Sequence, residues 1–149
     1  MPLTLRRATA DDAPAISAVI LRSLRQSNAR DYPPAVIERV ERNFDAEAVQ
    51  ALIARREVFV ALEAEQLVGT ASLDGAVVRS VFVDPDWQGR GIGAQLMAAV
   101  EARAREAGIE RLKVPASLTA QAFYARQGYR VVREVVEGEE RTIVMERAL

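Results

Sequence analysis

The stretch Ser80-Val81-Phe82-Val83-Asp84-Pro85-Asp86-Trp87-Gln88-Gly89-Arg90-Gly91-Ile92-Gly93 joins an apolar run to a proline-containing turn and three glycines at alternate positions. The apolar run is typical of a β-strand, and the apolar residues at helical spacing from Ile92 onward predict a helix. The first N–H groups of a helix have no internal partners, and glycine lets a ligand approach the backbone closely. This strand-turn-helix segment therefore predicts an anion site suited to a pyrophosphate.

Periodic patterns on both sides of this stretch predict one α/β (α+β) domain over residues 1–149. The predicted strands are 3–8, 57–63, 66–73, 76–83, 109–114, 129–136 and 141–147, and the predicted helices are 10–27, 32–43, 46–54, 89–107 and 120–127. This order predicts a mixed β-sheet with a central antiparallel meander and a parallel crossover at the long helix, flanked by helices. The charged residues of the long helix predict a solvated face, formed by Glu101, Arg103, Arg105 and Glu106.

The composition excludes several kinds of chemistry. The chain has no cysteine and no histidine, so disulfides, thiolate nucleophiles and the commonest general base are absent, and we expect no metal site. Lys and Arg number 20 against 21 Asp and Glu, so bulk charge gives no reason to expect a nucleic-acid partner. The chain shows neither a signal-peptide pattern nor a run near the ~20 apolar residues of a membrane span, so we expect no membrane partner and a cytoplasmic location.

Two other nucleotide-binding motifs contain similar glycines. A P-loop requires a lysine after its last glycine, whereas Ala94 and Gln95 follow Gly93. A lax dinucleotide fingerprint, G-x-G-x-x-A, fits from Gly89 to Ala94, but that fingerprint normally opens its domain. Four predicted strands precede it here, three of them as an antiparallel meander. The topology therefore disfavours a nicotinamide-dependent oxidoreductase.

The same stretch resembles the signature of the GNAT superfamily of acyl-CoA N-acyltransferases, a glutamine or arginine followed three residues later by G-x-G or G-x-A. Gln88, Gly91 and Gly93 match it, and Val83-Asp84-Pro85 matches the strand end that precedes it. The resemblance implies that coenzyme A places its pyrophosphate on the backbone of residues 88–94 and its pantetheine arm along the strand end, where a backbone N–H stabilises the oxyanion. The implied cofactor-binding residues are Val81, Phe82, Val83, Gln88, Gly89, Arg90, Gly91, Ile92, Gly93, Ala94 and Ser117.

A second segment, residues 117–129, resembles the family pattern N-x-x-A-x-x-[LF]-Y-x-x-x-G-[FY]. Ser117 stands where asparagine is usual, and its hydroxyl reaches less far than an amide. The resemblance implies that Tyr124 is catalytic, a general acid that protonates the departing thiolate. Adjacent helical positions point about 100° apart, so we expect Phe123 in the core and Tyr124 in the cleft.

The missing residue types also narrow the reaction. Without cysteine, the acetyl group of acetyl-CoA is expected to pass directly to an amine in a ternary complex, with coenzyme A as product. The general base is left open among a bound water and the carboxylates of Glu63, Asp74, Asp84 and Asp86, although Asp84 is better suited to capping its turn.

The acceptor and the assembly are less well defined by the sequence. Tyr32 either lines the acceptor pocket or packs on its own Pro33-Pro34. The acceptor is an amine of a small molecule or a peptide, and a homodimer is an open prediction. The alternative is a non-catalytic acetyl-CoA-binding or interaction module on the same fold, which the presence of Tyr124 disfavours.

Overall fold

A computed structural model describes residues 3–149 and places seven strands of that range in one sheet. The strands are β1 (Leu3–Arg7), β2 (Glu57–Glu63), β3 (Gln66–Asp74), β4 (Val77–Val83), β5 (Arg111–Ser117), β6 (Arg130–Glu137) and β7 (Glu140–Ala148). The helices are α1 (Ala13–Gln26), α2 (Pro34–Glu41), α3 (Ala46–Arg55), α4 (Ile92–Glu106) and α5 (Gln121–Arg126). The strand order is β1-β2-β3-β4-β5-β7-β6, which confirms the predicted mixed sheet with flanking helices.

The sheet opens between β4 and β5. β1 to β4 form an antiparallel meander, and β5, β7 and β6 form a second antiparallel unit. The two units meet in a parallel pairing whose register contains Val77 and Lys113, with α4 as the crossover. Beyond that point the strands diverge, and residues 81–83 of β4 and Ser117 of β5 line a cleft between them.

Helices cover both faces of the sheet and create two cores. On one face α4 buries Leu96, Met97 and Val100 completely against the strands. On the other face α1 buries Ile16 and Ile20 in a core shared with α2, α3 and β2. The two cores pack against the meander from both sides, so β4 borders the cleft as part of a sheet that is covered on both faces.

The solvated face predicted for α4 is wrong at Glu101, which is only 6% exposed. Its carboxylate accepts hydrogen bonds from the Tyr129 hydroxyl at 2.8 Å and from Nη1 of Arg147 at 2.9 Å. A buried carboxylate requires such partners, since an unpaired charge is costly away from water. Arg105 and Glu106 do lie on the exposed side of the helix.

The long helix also begins later than predicted, at Ile92 rather than Gly89. Gly89 and Gly91 have φ angles of +80° and +78°, which a right-handed helix does not contain. Residues 89–91 therefore form a loop that precedes the helix. Among residues 3–149, no helix has the length and apolar character needed to cross a membrane.

Candidate active site

The cleft between β4 and β5 has a volume of about 1210 Å³ and extends from the glycine loop to the first helices. Most of the residues predicted to bind the cofactor or the acceptor line it. These are Tyr32, Val81, Phe82, Val83, Gln88, Gly89, Gly91, Ile92, Gly93, Ala94, Ser117 and Tyr124. Arg90 lies outside this lining, and its guanidinium stacks on the ring of Trp87 at 4.5 Å.

The loop before α4 has the geometry of an anion cradle. Gly91 is the N-cap residue and has a left-handed conformation, and a Cβ added at Gly89 or Gly91 would meet nothing within 4 Å. The N–H of Gln95 donates to the carbonyl of Gly91 at 3.1 Å, so the N–H groups of residues 92–94 come before the first intrahelical hydrogen bond. These amides and the positive end of the helix dipole lie at the cleft wall, where they favour an anion.

The third glycine of the motif has a different role from the other two. A Cβ added at Gly93 would lie 3.0 Å from the Phe123 ring, and the φ of Gly93 is not in the left-handed region. Glycine at this position therefore lets the aromatic ring of α5 pack against the start of α4. The glycine pattern alone suggested ligand approach at all three positions.

Asp84 holds the turn between β4 and the loop. Its carboxylate is buried, accepts a hydrogen bond from Arg22 Nη1 at 2.6 Å and also accepts one from the N–H of Asp86 at 2.9 Å. Arg22 also contacts the Asp86 carboxylate at 2.9 Å. These hydrogen bonds to both carboxylates raise the pKa of Arg22. Asp84 therefore acts as the turn cap that its position in the sequence suggested.

Gln88 fixes the loop from the other side. Its side-chain amide donates to the Val83 carbonyl at 3.2 Å and to the Ser27 hydroxyl at 3.3 Å. Gln88 thus ties the loop to the end of β4 and to the end of α1. Because this side chain is occupied in positioning, the groups that the loop offers to a ligand are its backbone amides.

Tyr124 lies on α5 at the cleft wall and is only 4% exposed. Its ring packs edge-on against Phe123 at 5.1 Å and Tyr129 at 5.9 Å between centroids. Phe123, expected in the core, is only partly buried and lines the cleft as well, so the expected division between the two rings is wrong. Among the described residues burial alone raises the pKa of the Tyr124 phenol, with no contribution from a hydrogen bond.

The loop between α1 and α2 crosses the cleft and is tied to its far side. The Tyr32 hydroxyl accepts a hydrogen bond from the N–H of Leu118 at 2.7 Å and donates one to the carbonyl of Arg141 at 2.9 Å. The Thr119 hydroxyl donates to Asp31 at 2.7 Å. Tyr32 therefore connects the first helices to β5 and β7, a role that neither prediction for it contained.

Ser117 lies at the end of β5 and lines the cleft. Its hydroxyl oxygen accepts a hydrogen bond from the N–H of Ala120 at 3.2 Å, so the side chain caps the turn that leads into α5. The hydroxyl proton is still available as a donor toward the cleft.

None of the four carboxylates considered as a general base lines the cleft in the described part of the chain. Asp74 pairs with Arg79 at 3.2 Å, and Asp84 and Asp86 pair with Arg22. Glu63 is at the end of β2, in the hairpin with β3. The described carboxylate that does line the cleft is that of Glu140, which pairs with Arg39 at 2.9 Å.

Arginine dominates the charge of the cleft. Among the described residues that line it, seven are arginines, namely Arg30, Arg42, Arg55, Arg56, Arg79, Arg126 and Arg141. Since one carboxylate lies among them, the lining has an excess of positive charge although the whole chain has a net charge of −1. Asp74 and Glu134 pair with Arg79 and Arg141 from outside the lining and offset part of that excess. Composition did not reveal this segregation, and the adjacent pair Arg55-Arg56 was the only local signal of it.

Comparison with known proteins gives a family match and a curated relative. The family described as the acetyltransferase (GNAT) domain matches residues 28–146. An uncharacterized N-acetyltransferase of Escherichia coli K12, YafP, is 26% identical over 132 residues, 89% of this chain and 84% of its own length.

Two solved structures show the same fold. A GCN5-related N-acetyltransferase of Rhodopseudomonas palustris superposes with a TM-score of 0.92 at 28% identity, covering 100% of this chain and 97% of that one. The PaiA N-acetyltransferase of Thermoplasma acidophilum, solved in complex with coenzyme A, gives a TM-score of 0.86 at 18% identity over the full length of both chains.

Proposed function

Because the chain belongs to the GNAT family of N-acetyltransferases, we propose that it transfers the acetyl group of acetyl-CoA directly to a primary amine of a small molecule or peptide. The single observation that carries this proposal is the cleft itself. One cavity joins the glycine loop, the open edge of β4 and Tyr124, so a pyrophosphate, a thioester and a proton donor fit along one continuous path.

The cofactor-binding wall fits coenzyme A by its chemistry. The unpaired amides of residues 92–94 suit the pyrophosphate, and the loop glycines, Gly89 and Gly91, leave open space above them. The diverging end of β4, residues 81–83, offers a strand edge to the amide groups of the pantetheine arm. Coenzyme A in the similar PaiA structure is consistent with this assignment.

The reaction requires a neutral amine as the nucleophile and a proton for the thiolate that leaves. When bound, acetyl-CoA supplies a thioester whose carbon accepts the amine lone pair as the C–S bond breaks and its electron pair moves to sulfur. Tyr124 gives that sulfur a proton, and the nitrogen loses one proton to water, which returns one to the phenol. A backbone N–H near Val81 or Phe82 would stabilise the oxyanion.

The environment of Tyr124 suits the role of proton donor. Its phenol carries its proton at neutral pH, and burial, which raises the pKa of Tyr124, makes the phenol hold that proton more tightly. Its position at the cleft wall is what brings the proton within reach of the thiolate. With no histidine in the chain and one carboxylate among the described lining residues, a water in the cleft is the proposed acceptor of the amine proton.

The proposal is tested by a thiol-release assay with acetyl-CoA and a panel of primary amines, with mass spectrometry of the acetylated product. We expect amine-dependent release of one thiol for each product molecule formed. Tight binding of acetyl-CoA without turnover on any amine would instead identify a binding module. Absence of acetyl-CoA binding would remove the proposal altogether.

A further inference from the structure

Three arginines line the cleft beside β4, whereas the glycine loop follows the end of that strand. Arg55 ends α3, Arg56 follows it, and Arg79 lies on β4; all three line the cleft. Asp74 is the carboxylate that the structure pairs with them, 3.2 Å from Arg79 and 3.9 Å from Arg56. Three positive charges against one negative charge leave this arginine cluster with a surplus of positive charge.

Arg56 is the least solvated member of the arginine cluster. Its side chain is 17% exposed, and its Nη1 donates to the Ser80 hydroxyl at 3.2 Å. Burial, followed by the neighbouring charge of Arg79, lowers the pKa of Arg56. A partly buried cation with so little compensation gains from an anion beside it, because the anion replaces lost hydration.

The arginine cluster lies next to the proposed reaction centre. Ser80 has a φ of +54° and sits in a break in the pairing of β4 with β3, and such bulges redirect side chains beside active sites. Arg79 precedes this break, and Val81, the start of the proposed cofactor edge, follows it. Arg79 and Val81 are two residues apart, which corresponds to roughly 7 Å along a strand.

The position of the arginine cluster favours a role toward the acceptor, because Arg79 is in the first half of β4 whereas the phosphate cradle follows the end of that strand. The phosphate cradle begins at Gly89, ten residues beyond Arg79 on the other side of the cofactor edge. The side chains of Phe44 and Phe82 also line the cleft and pack edge-on at 5.8 Å between centroids. The acceptor region thus combines aromatic walls with positive charge.

We propose that the acceptor is an amine that also carries a carboxylate, as an amino acid does, and that Arg56 and Arg79 bind this carboxylate. The inference rests on the proposed acetyl transfer and narrows its substrate class. A guanidinium matches a carboxylate through paired N–H donors. The same positive field disfavours the ammonium form of the acceptor, which lowers its pKa and favours the neutral amine. Polycationic acceptors such as polyamines are disfavoured for the same reason.

The test compares amines that differ only in the carboxylate. Each standard amino acid is assayed against its carboxamide, together with spermidine, by thiol release at fixed acetyl-CoA. We expect kcat/KM for the best amino acid to exceed that for its amide by about 10- to 100-fold, the range for a hydrogen-bonded charge pair. Equal rates on acid and amide, or a preference for spermidine, would overturn this inference and leave the transferase proposal standing.

Variants then assign the effect to residues. Arg56→Met and Arg79→Met should each erase the difference between acid and amide while the Kd of acetyl-CoA stays within about twofold of the original value. Arg105→Met, at an exposed arginine of α4, is the matched control and should change neither quantity. A large loss of acetyl-CoA affinity in Arg79→Met would show that the arginine cluster binds phosphate and would refute the assignment.

The melting temperature of each variant reports on its folding, and turnover on the amine panel reports on the proposed transferase activity. Arg79 is 40% exposed, so Arg79→Met should keep its melting temperature even if Arg56→Met does not, and the assignment can be judged on Arg79 alone. Failure of every amine in the panel, with acetyl-CoA still bound, would defeat the proposed function itself. That result differs from turnover without a carboxylate preference.

Discussion

Replacing Tyr124 with phenylalanine removes one oxygen atom from the cleft wall and leaves the aromatic packing in place. The ring packs edge-on between Phe123 and Tyr129, contacts that phenylalanine also makes. Within residues 3–149 no hydrogen bond contributes to the pKa of its hydroxyl, so the free energy of unfolding should change by less than about 0.5 kcal/mol.

The expected effect of Tyr124→Phe on catalysis is large. A positioned general acid contributes about 10²- to 10⁴-fold, which corresponds to about 3–5 kcal/mol on the barrier. We therefore expect kcat to fall by about that factor in the thiol-release assay, while the Kd of acetyl-CoA remains unchanged. Because burial raises the pKa of Tyr124, the original enzyme should not lose activity through ionisation of this phenol below about pH 10, its ordinary pKa.

Tyr129→Phe is the matched control because it makes the same change in the neighbouring ring. The Tyr129 hydroxyl donates to Glu101 at 2.8 Å, so its removal should cost about 1–3 kcal/mol of unfolding free energy and leave kcat nearly unchanged. Urea denaturation and thiol release measure the two effects separately. A Tyr124→Phe enzyme with the original kcat would refute the general-acid assignment, and equal losses of kcat in both variants would point to packing.

Three further substitutions and one control test contacts in and near the site. Gly93→Ala places a methyl group 3.0 Å from the Phe123 ring and should cost about 1–3 kcal/mol in urea unfolding; unchanged stability would show that the ring moves away freely. Glu101→Gln should lower the free energy of unfolding by about 1–3 kcal/mol. The control Glu106→Gln, at a residue whose side chain is 73% exposed, should lower it by less than about 0.5 kcal/mol. Similar losses in the two variants would contradict the buried role of Glu101. Tyr32→Phe removes both cross-cleft hydrogen bonds and should raise KM for the acceptor severalfold in steady-state kinetics. An unchanged KM would contradict this role of Tyr32.

Local patterns predicted the order of the elements well. The short apolar runs of β2 and β3 were identified nearly to the residue, because both faces of these strands are buried. The start of α4 was misplaced, because Gly89 and Gly91 adopt left-handed angles that the spacing of apolar residues does not reveal. The glycine motif nevertheless identified one wall of the cleft, which contains Gln88, Gly89, Gly91 and Gly93.

Local sequence patterns could not predict contacts between elements that are distant in the chain. Glu101 resembles its exposed neighbours in sequence, and its burial depends on Tyr129 and Arg147, which come from a loop and from β7. The arginine cluster likewise arises where the end of α3 meets β4. Its residues are 23 positions apart in the chain, between Arg56 and Arg79, and no periodicity connects them.

The central claim is that the loop of Gly89 and Gly91 binds the pyrophosphate of acetyl-CoA, and a matched pair of glycine variants tests it most directly. Gly91 and Gly108 have φ angles of +78° and +77°, and a Cβ at either position would meet nothing within 4 Å. Glutamate should therefore strain the backbone equally at both, but only at Gly91 does it place a negative charge at the cradle.

Calorimetric titration of acetyl-CoA into the original protein, Gly91→Glu and Gly108→Glu gives the decisive measurement. We expect saturable binding at one site in the original protein and in Gly108→Glu, and no measurable binding in a folded Gly91→Glu. Binding of acetyl-CoA to Gly91→Glu with the affinity of Gly108→Glu would contradict the account.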